Sequence, residues 1–129
     1  MRRVLAPGGR IVLYGKDWDT FVTDSGDPEL TRAIVRKRAE QVPSPRAARQ
    51  YCNLLLDAGF RVVTVEVHTG VFTDASFLPV FTRLAEACCE HGAISRTQAG
   101  AWIADQRGRA RADRLFAAVP IFIAAATNP

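Results

Sequence analysis

The sequence predicts an α/β domain, and three observations carry that prediction. Helix-boundary signals alternate with short apolar runs along the whole chain, as layered α/β folds require. The first and last of those runs, about 10–14 and 120–126, are apolar on both faces, the pattern of strands buried between helices. The run between them, about 62–73, alternates apolar with polar residues, the pattern of a strand with one wetter face. At 129 residues the chain suits one domain, 1–129, with room for a buried core.

The elements follow in order. Met1–Leu5 reads as the last turn of a helix, with Arg2 and Arg3 at the negative end of its dipole. Pro7-Gly8-Gly9 turns the chain into the first strand, Ile11-Val12-Leu13-Tyr14. Asp27-Pro28-Glu29 opens a helix with an N-cap carboxylate, a proline at the first helical position and a second acid. Leu30, Ala33, Ile34 and Val42 form its apolar side, and Pro43 ends it. Ser44-Pro45 repeats the start signal for a helix to Ala58 striped by Ala48, Tyr51, Cys52 and Leu55. Gly59 closes that helix, with Phe60 packing back on its last turn.

Val63, Val65, Val67 and Val71 then alternate with Thr64, Glu66, His68 and Phe72, with a bulge or bend expected at Gly70. Asp74 or Ser76 caps a helix carrying Phe77, Phe81, Leu84 and Cys88, and Gly92 ends it. Ser95-Arg96-Thr97-Gln98 is a capping box. The helix it opens holds Trp102 and Ile103 and is expected to fray near Gly108. The final strand starts at Pro120, where a missing N–H is tolerated.

Hydrophobic residues make up 48% and charged residues 23%, the balance of an ordinary globular protein. The longest apolar run, Ala117–Ala126, falls short of the roughly 20 residues that span a bilayer, and no apolar signal core follows Met1-Arg2-Arg3. The expected location is cytoplasmic. The net charge of +4 raises a nucleic-acid reading, but of the 17 basic residues only Lys16 and Lys37 are lysines. The clusters Arg36-Lys37-Arg38 and Arg107–Arg114 lack interleaved aromatics for base stacking, so they read as solvated helix faces. Cys52, Cys88 and Cys89 cannot all pair within one chain, which suits a reducing compartment. Cys88-Cys89-Glu90-His91 lacks the spaced ligand pairs of a metal site, and no metal is expected.

Two stretches carry a family resemblance. Val4-Leu5-Ala6-Pro7-Gly8-Gly9-Arg10 with its strand, then Arg49 through Leu55-Leu56-Asp57-Ala58-Gly59-Phe60 with Val63-Thr64-Val65-Glu66, resemble class I S-adenosylmethionine-dependent methyltransferases. The likeness is nearest to the small-molecule branch that includes quinone-biosynthesis enzymes, and it covers nearly the whole chain. It implies the C-terminal half of a Rossmann-like methyltransferase fold. The three-stranded sheet would have family order 5-7-6, built from 10–14, 120–126 and 62–73, with the last strand antiparallel. A helical insertion, about 76–114, would precede that strand on the substrate side.

The resemblance also implies S-adenosylmethionine as cofactor and a small-molecule methyl acceptor. The family binds its cofactor on the first four strands, through a glycine-rich turn after strand one and an acidic residue ending strand two. Gly8-Gly9 precedes its strand instead of following one, so no cofactor-binding residue is assigned here. Cofactor binding and activity by this chain alone are not expected.

Ligands of open α/β sheets gather at the C-terminal ends of strands, which singles out Asp17, Trp18 and Asp19. The two carboxylates could orient or deprotonate an acceptor, and the indole could wall an aromatic or quinone-like ligand. Arg49, and with it Arg46, is the candidate for an anionic group. No catalytic residue is assigned. His68 and His91 read as surface or helix-end residues, and Phe77, Phe81 and Trp102 as core stripes. Without a fourth-strand neighbour, the first strand presents an open edge at Ile11, Val12 and Leu13. The expected partner there is a second copy or a complementing N-terminal half. The alternative function is a non-catalytic interaction or oligomerisation module.

Overall fold

The structure, a computed structural model, describes residues 4–129, so the helical turn expected at Met1–Leu5 lies largely outside the described residues. It is a mixed α/β fold with four antiparallel strands and four α-helices among those residues. In chain order these are β1 (Arg10–Lys16), β2 (Val22–Thr23), α1 (Pro28–Glu40), α2 (Tyr51–Asp57), β3 (Arg61–Phe72), α3 (Leu78–Glu90), α4 (Arg96–Arg111) and β4 (Ala117–Thr127). No helix of the described residues is long and apolar enough to cross a membrane.

Every strand pairs with β4. β1 runs antiparallel along it from Arg10↔Thr127 to Lys16↔Ile121, and β2 continues the same side at Val22↔Ala118. β3 pairs along the other side, from Arg61↔Thr127 to Phe72↔Ala117. The sheet therefore has four strands instead of the expected three, because the two-residue β2 is too short for any periodicity to announce. β4 also begins three residues before Pro120. That proline pairs with Thr69 on one side and falls in the gap between β1 and β2 on the other, where the ladder is already interrupted.

The caps explain most boundaries. Asp27 accepts the Leu30 N–H at 2.9 Å, and Ser95 and Gln98 complete the reciprocal capping box at 3.0 and 2.8 Å. Gly59 (φ 82°) ends α2 in a Schellman turn, with Phe60 N–H donating to the Leu55 carbonyl at 3.0 Å and Phe60 itself buried. Three expectations need correction. The second helix starts at Tyr51, after a 3-10 turn over Ala47–Gln50, because the Pro45 carbonyl accepts the Trp18 N–H and holds the preceding segment against the β1 exit. The irregularity in β3 lies between Arg61 and Thr64, with Val62 at φ 52°, and not at Gly70. α4 runs through Gly108 to Arg111, where Arg109 bridges Asp105 and Asp24.

Two cores form on opposite faces of the sheet. Ile34, Phe81, Leu84, Cys88, Trp102 and Leu115 join α1, α3 and α4 to the start of β4 at Ala117. Leu55 and Phe60 pack with Ala124 and Ala126 at the other end and on the other face. Thr31, not Ala33, completes the buried side of α1, its hydroxyl accepting the Trp102 indole N–H at 2.9 Å. Because each core covers only one end of its face, the sheet is not sandwiched as the apolar strands implied. Val12 (59% exposed) and Tyr14 (77%) are open on one face, and Val67 and Val71 on the other.

Phe81 contacts Phe77 and Trp102 edge-on at 5.1 and 5.3 Å between ring centroids, at the centre of the larger core. Phe81→Ala is expected to cost about 3–5 kcal/mol. That is a large part of the roughly 5–15 kcal/mol available to such a domain. With an m-value of about 1–3 kcal/mol/M, the urea midpoint should fall by at least about 1 M, and an unshifted midpoint would contradict this packing.

Candidate functional site

The chain leaves β1 at Lys16 and enters a 3-10 turn at Trp18–Thr20 before returning as β2. Asp17 makes that turn. Its Oδ1 accepts the Asp19 N–H at 3.0 Å, and its carbonyl accepts the Thr20 hydroxyl at 2.7 Å. Its other carboxylate oxygen accepts from Arg49 Nε, and Asp19 accepts from Arg46 Nε. Arg49 Nη2 also lies 3.5 Å from Asp19 Oδ2. The structure thus brings Asp17, Asp19, Arg46 and Arg49 into one ion-pair cluster between the β1 exit and the segment entering α2.

Asp17 is almost wholly buried, its side chain 1% exposed, whereas Arg49 is about half exposed. The hydrogen bond from Arg49 holds the Asp17 carboxyl below the usual carboxylate range, against the opposing pull of burial. Asp17 in turn raises Arg49. A lowered carboxylate is a weaker proton acceptor, and the hydrogen bonds of Asp17 to Asp19, Thr20 and Arg49 fix the turn.

Trp18 has different company. Arg38 Cζ lies 4.8 Å and Lys16 Nζ 5.4 Å from its ring centroid. Beside it opens a cavity of about 180 Å³ whose walls are almost entirely apolar. Phe21, Phe72, Phe77, Val80, Val119 and Ile121 build those walls, and Lys16, Asp17, Trp18 and Arg38 border it. Phe77 stacks on Phe72 at 4.5 Å and on Phe21 at 6.1 Å, so the cavity is flanked by layered rings. Gly70 keeps space for that stack: a Cβ there would approach the Phe72 ring at 3.2 Å.

Of the residues the sequence singled out, Trp18 and Asp17 border the cavity, while Asp19 and Arg49 belong to the ion-pair cluster behind it. Sequence reasoning missed Arg38, assigned to a solvated charge run. Its place four residues after Ile34, on the inner side of α1, was the available signal. Phe21, Phe72 and the β4 pair Val119 and Ile121 converge from three separate segments, and no local pattern links them.

The other candidates lie elsewhere. His68 is exposed and 3.0 Å from Glu66, and His91 Nδ1 sits 2.8 Å from the Ala87 carbonyl. Cys88 is buried, and burial pushes its thiol up, away from nucleophilic use. No group of His, Cys, Asp and Glu among the described residues could hold a metal ion.

No family model matches the chain. An uncharacterised 37.1 kDa protein in transposon Tn4556 of Streptomyces fradiae is 47% identical over 75 residues, which are 57% of this chain and 22% of that protein. The match thus spans about a fifth of that relative's length. Among solved structures, phosphoethanolamine N-methyltransferase 2 of Haemonchus contortus, in complex with phosphomonomethylethanolamine and S-adenosylhomocysteine, aligns with 99% of this chain and 28% of its own. Sequence identity there is 18% and the TM-score 0.37.

The paired Asp17 gives a pH signature. Its lowered value means that the pairing stabilises the fold fully above the unfolded carboxylate value of about 3.9. That contribution is lost as pH falls through the folded value. Asp17→Asn is expected to cost about 2 kcal/mol near neutral pH. The difference from the parent should shrink in acid. A penalty unchanged between pH 7 and pH 3 would show that the charge of Asp17 is not what holds the turn.

Proposed function

We propose that these residues are the acceptor-side part of an S-adenosylmethionine-dependent methyltransferase-like domain acting on a small molecule. The observation that carries the reading is the placement of β4, antiparallel between β1 and β3, with an apolar cavity at the C-terminal end of β1. This placement supports a reading in the 5-7-6 order that the resemblance of Val4–Arg10 and Leu55–Phe60 implies. Methyl transfer is an in-line displacement that depends mainly on positioning, so an acceptor pocket on a fixed turn is the contribution these residues would make.

The residues described do not fit the cofactor. The turn after β1 is Asp17-Trp18-Asp19, without glycine, and Gly15 inside β1 faces Tyr51, where a Cβ would run into the phenol. Gly8 and Gly9 are tied to Asn128 and Ala6 by backbone hydrogen bonds of 2.8 and 2.9 Å. A glycine-rich turn with its backbone open to a ligand must come from other residues. Calorimetric titration of these 129 residues with S-adenosylhomocysteine is therefore expected to show no binding. A tight one-to-one complex would overturn the division of labour proposed here.

The second reading is an interaction module, favoured by the open edge of β1 at Ile11, Val12 and Leu13 beside the uncovered Val12 and Tyr14. A second copy or a complementing half would add a strand there. If two copies pair antiparallel about Leu13, Arg10 of each faces Lys16 of the other, a like-charge opposition. Self-association through this edge should therefore strengthen as salt rises. Sedimentation velocity at low and high salt checks it, and a monomer at both, with fast exchange of those Ile11–Leu13 amides that point away from β4, would remove this reading.

A further inference from the structure

We infer that the cavity beside Trp18 takes a single-ring aromatic carboxylate, with the ring against the phenylalanine stack and the carboxylate at Lys16 and Arg38. The inference deepens the function proposed above, since it rests on the cavity being the acceptor pocket. Size argues first. The cavity holds about 180 Å³. An engineered apolar cavity of about 150 Å³ admits benzene and stays dry without it. One ring fits, and a fused polycycle does not.

Shape and lining argue for an aromatic guest. Phe21, Phe77 and Phe72 lie within 16° and 24° of parallel across their two stacked contacts, so a planar guest can extend existing layers. The walls offer almost no polar surface to hold a sugar or a peptide.

Charge argues for the anion. Lys16 and Arg38 converge on one indole ring, and neither has a carboxylate within ion-pair distance among the described residues. The bordering carboxylate, Asp17, is already neutralised by Arg49. Two cations with no carboxylate in ion-pair contact stand at the rim of an apolar cavity, with Glu86 and Glu90 in the neighbouring hollow beyond Arg38, and a ligand carboxylate would be their first direct partner. An ammonium would meet two like charges there instead.

The test titrates the 129-residue chain with 3-phenylpropionate, 3-phenylpropan-1-ol and 3-phenylpropylamine, following the valine and isoleucine methyls of the cavity by NMR. The acid is expected to bind roughly tenfold more tightly than the alcohol at low salt, and the amine more weakly than both. Arg38→Gln and Lys16→Gln should each bring the acid towards the alcohol. Val80→Trp, at an exposed position on the rim, should abolish binding of both. Equal affinity for acid and alcohol, unmoved by Arg38→Gln, would overturn the anionic class while leaving the pocket a ligand site. Preference for the amine would overturn it as well. Failure of all three compounds to shift Val80, Val119 or Ile121 would overturn the pocket itself, and with it the acceptor-side reading. The cofactor titration above reports separately on the rest of that reading.

Discussion

The sheet exists because of β4. β1, β2 and β3 each pair with it, and no two of them pair with each other. The strand that organises the fold is thus the last to be reached along the chain, and its partners lie up to the whole length of the domain away, as Arg10↔Thr127 shows. The loop entropy of such pairings is recovered only when the final strand docks. The composition of β4 suits that position. Ala117, Ala124 and Ala126 are buried and small, so helices and the Phe60 side chain can approach the strand closely from whichever face each alanine presents. Larger residues at Val119 and Ile121 are reserved for the stretch that borders the cavity.

The cavity is a by-product of how β1 gives way to β2. Were β1 to continue along β4, its side chains would fill the space now bounded by Trp18 and Phe21. Instead the chain leaves the ladder at Lys16 and returns at Val22, and the excursion is held outward by Asp17, Asp19, Arg46 and Arg49. Polar groups fix the backbone on one side while apolar groups from α1, α3 and β3 shape the hole on the other. This division explains why Asp17 and Trp18, adjacent in the chain, do such different things. One is buried and committed to Arg49; the other stands at the rim between two cations.

The legible features were those written locally. The caps at Asp27 and Ser95, the stop at Gly59 and the strand at β3 each depend on residues within a few positions of one another and lie where the sequence indicated, although the apolar face that the β3 alternation implied is exposed at Val65, Val67 and Val71. The helix expected from Ser44 was not, because its start is decided by a contact from Trp18, twenty-odd residues away in the chain. Exposure failed for a related reason. An apolar run such as Ile11–Tyr14 signals that burial is available to both faces, but whether a helix lies over each face is a tertiary fact. The site divided in the same way. The turn after β1 borders the cavity, while Arg38 and the phenylalanines reach it from elements whose convergence no spacing records.

The uncovered surfaces then share one geometry. Val12 and Tyr14 lie on the sheet face opposite Leu55 and Phe60, directly beside the open edge of β1. A strand laid along that edge and followed by a helix crossing back over the face would cover the backbone groups and both side chains together. A lone strand would leave Tyr14 wet, and a lone helix would leave the edge unpaired. Arg10 and Lys16, which flank the exposed pair on the same face, add that the incoming element should be acidic or well hydrated at its ends. In the proposal of a complementing half, one βα unit would meet edge, face and charge together. The same unit would extend the row of strand ends at which the Trp18 cavity opens, the side of such sheets where ligands are held.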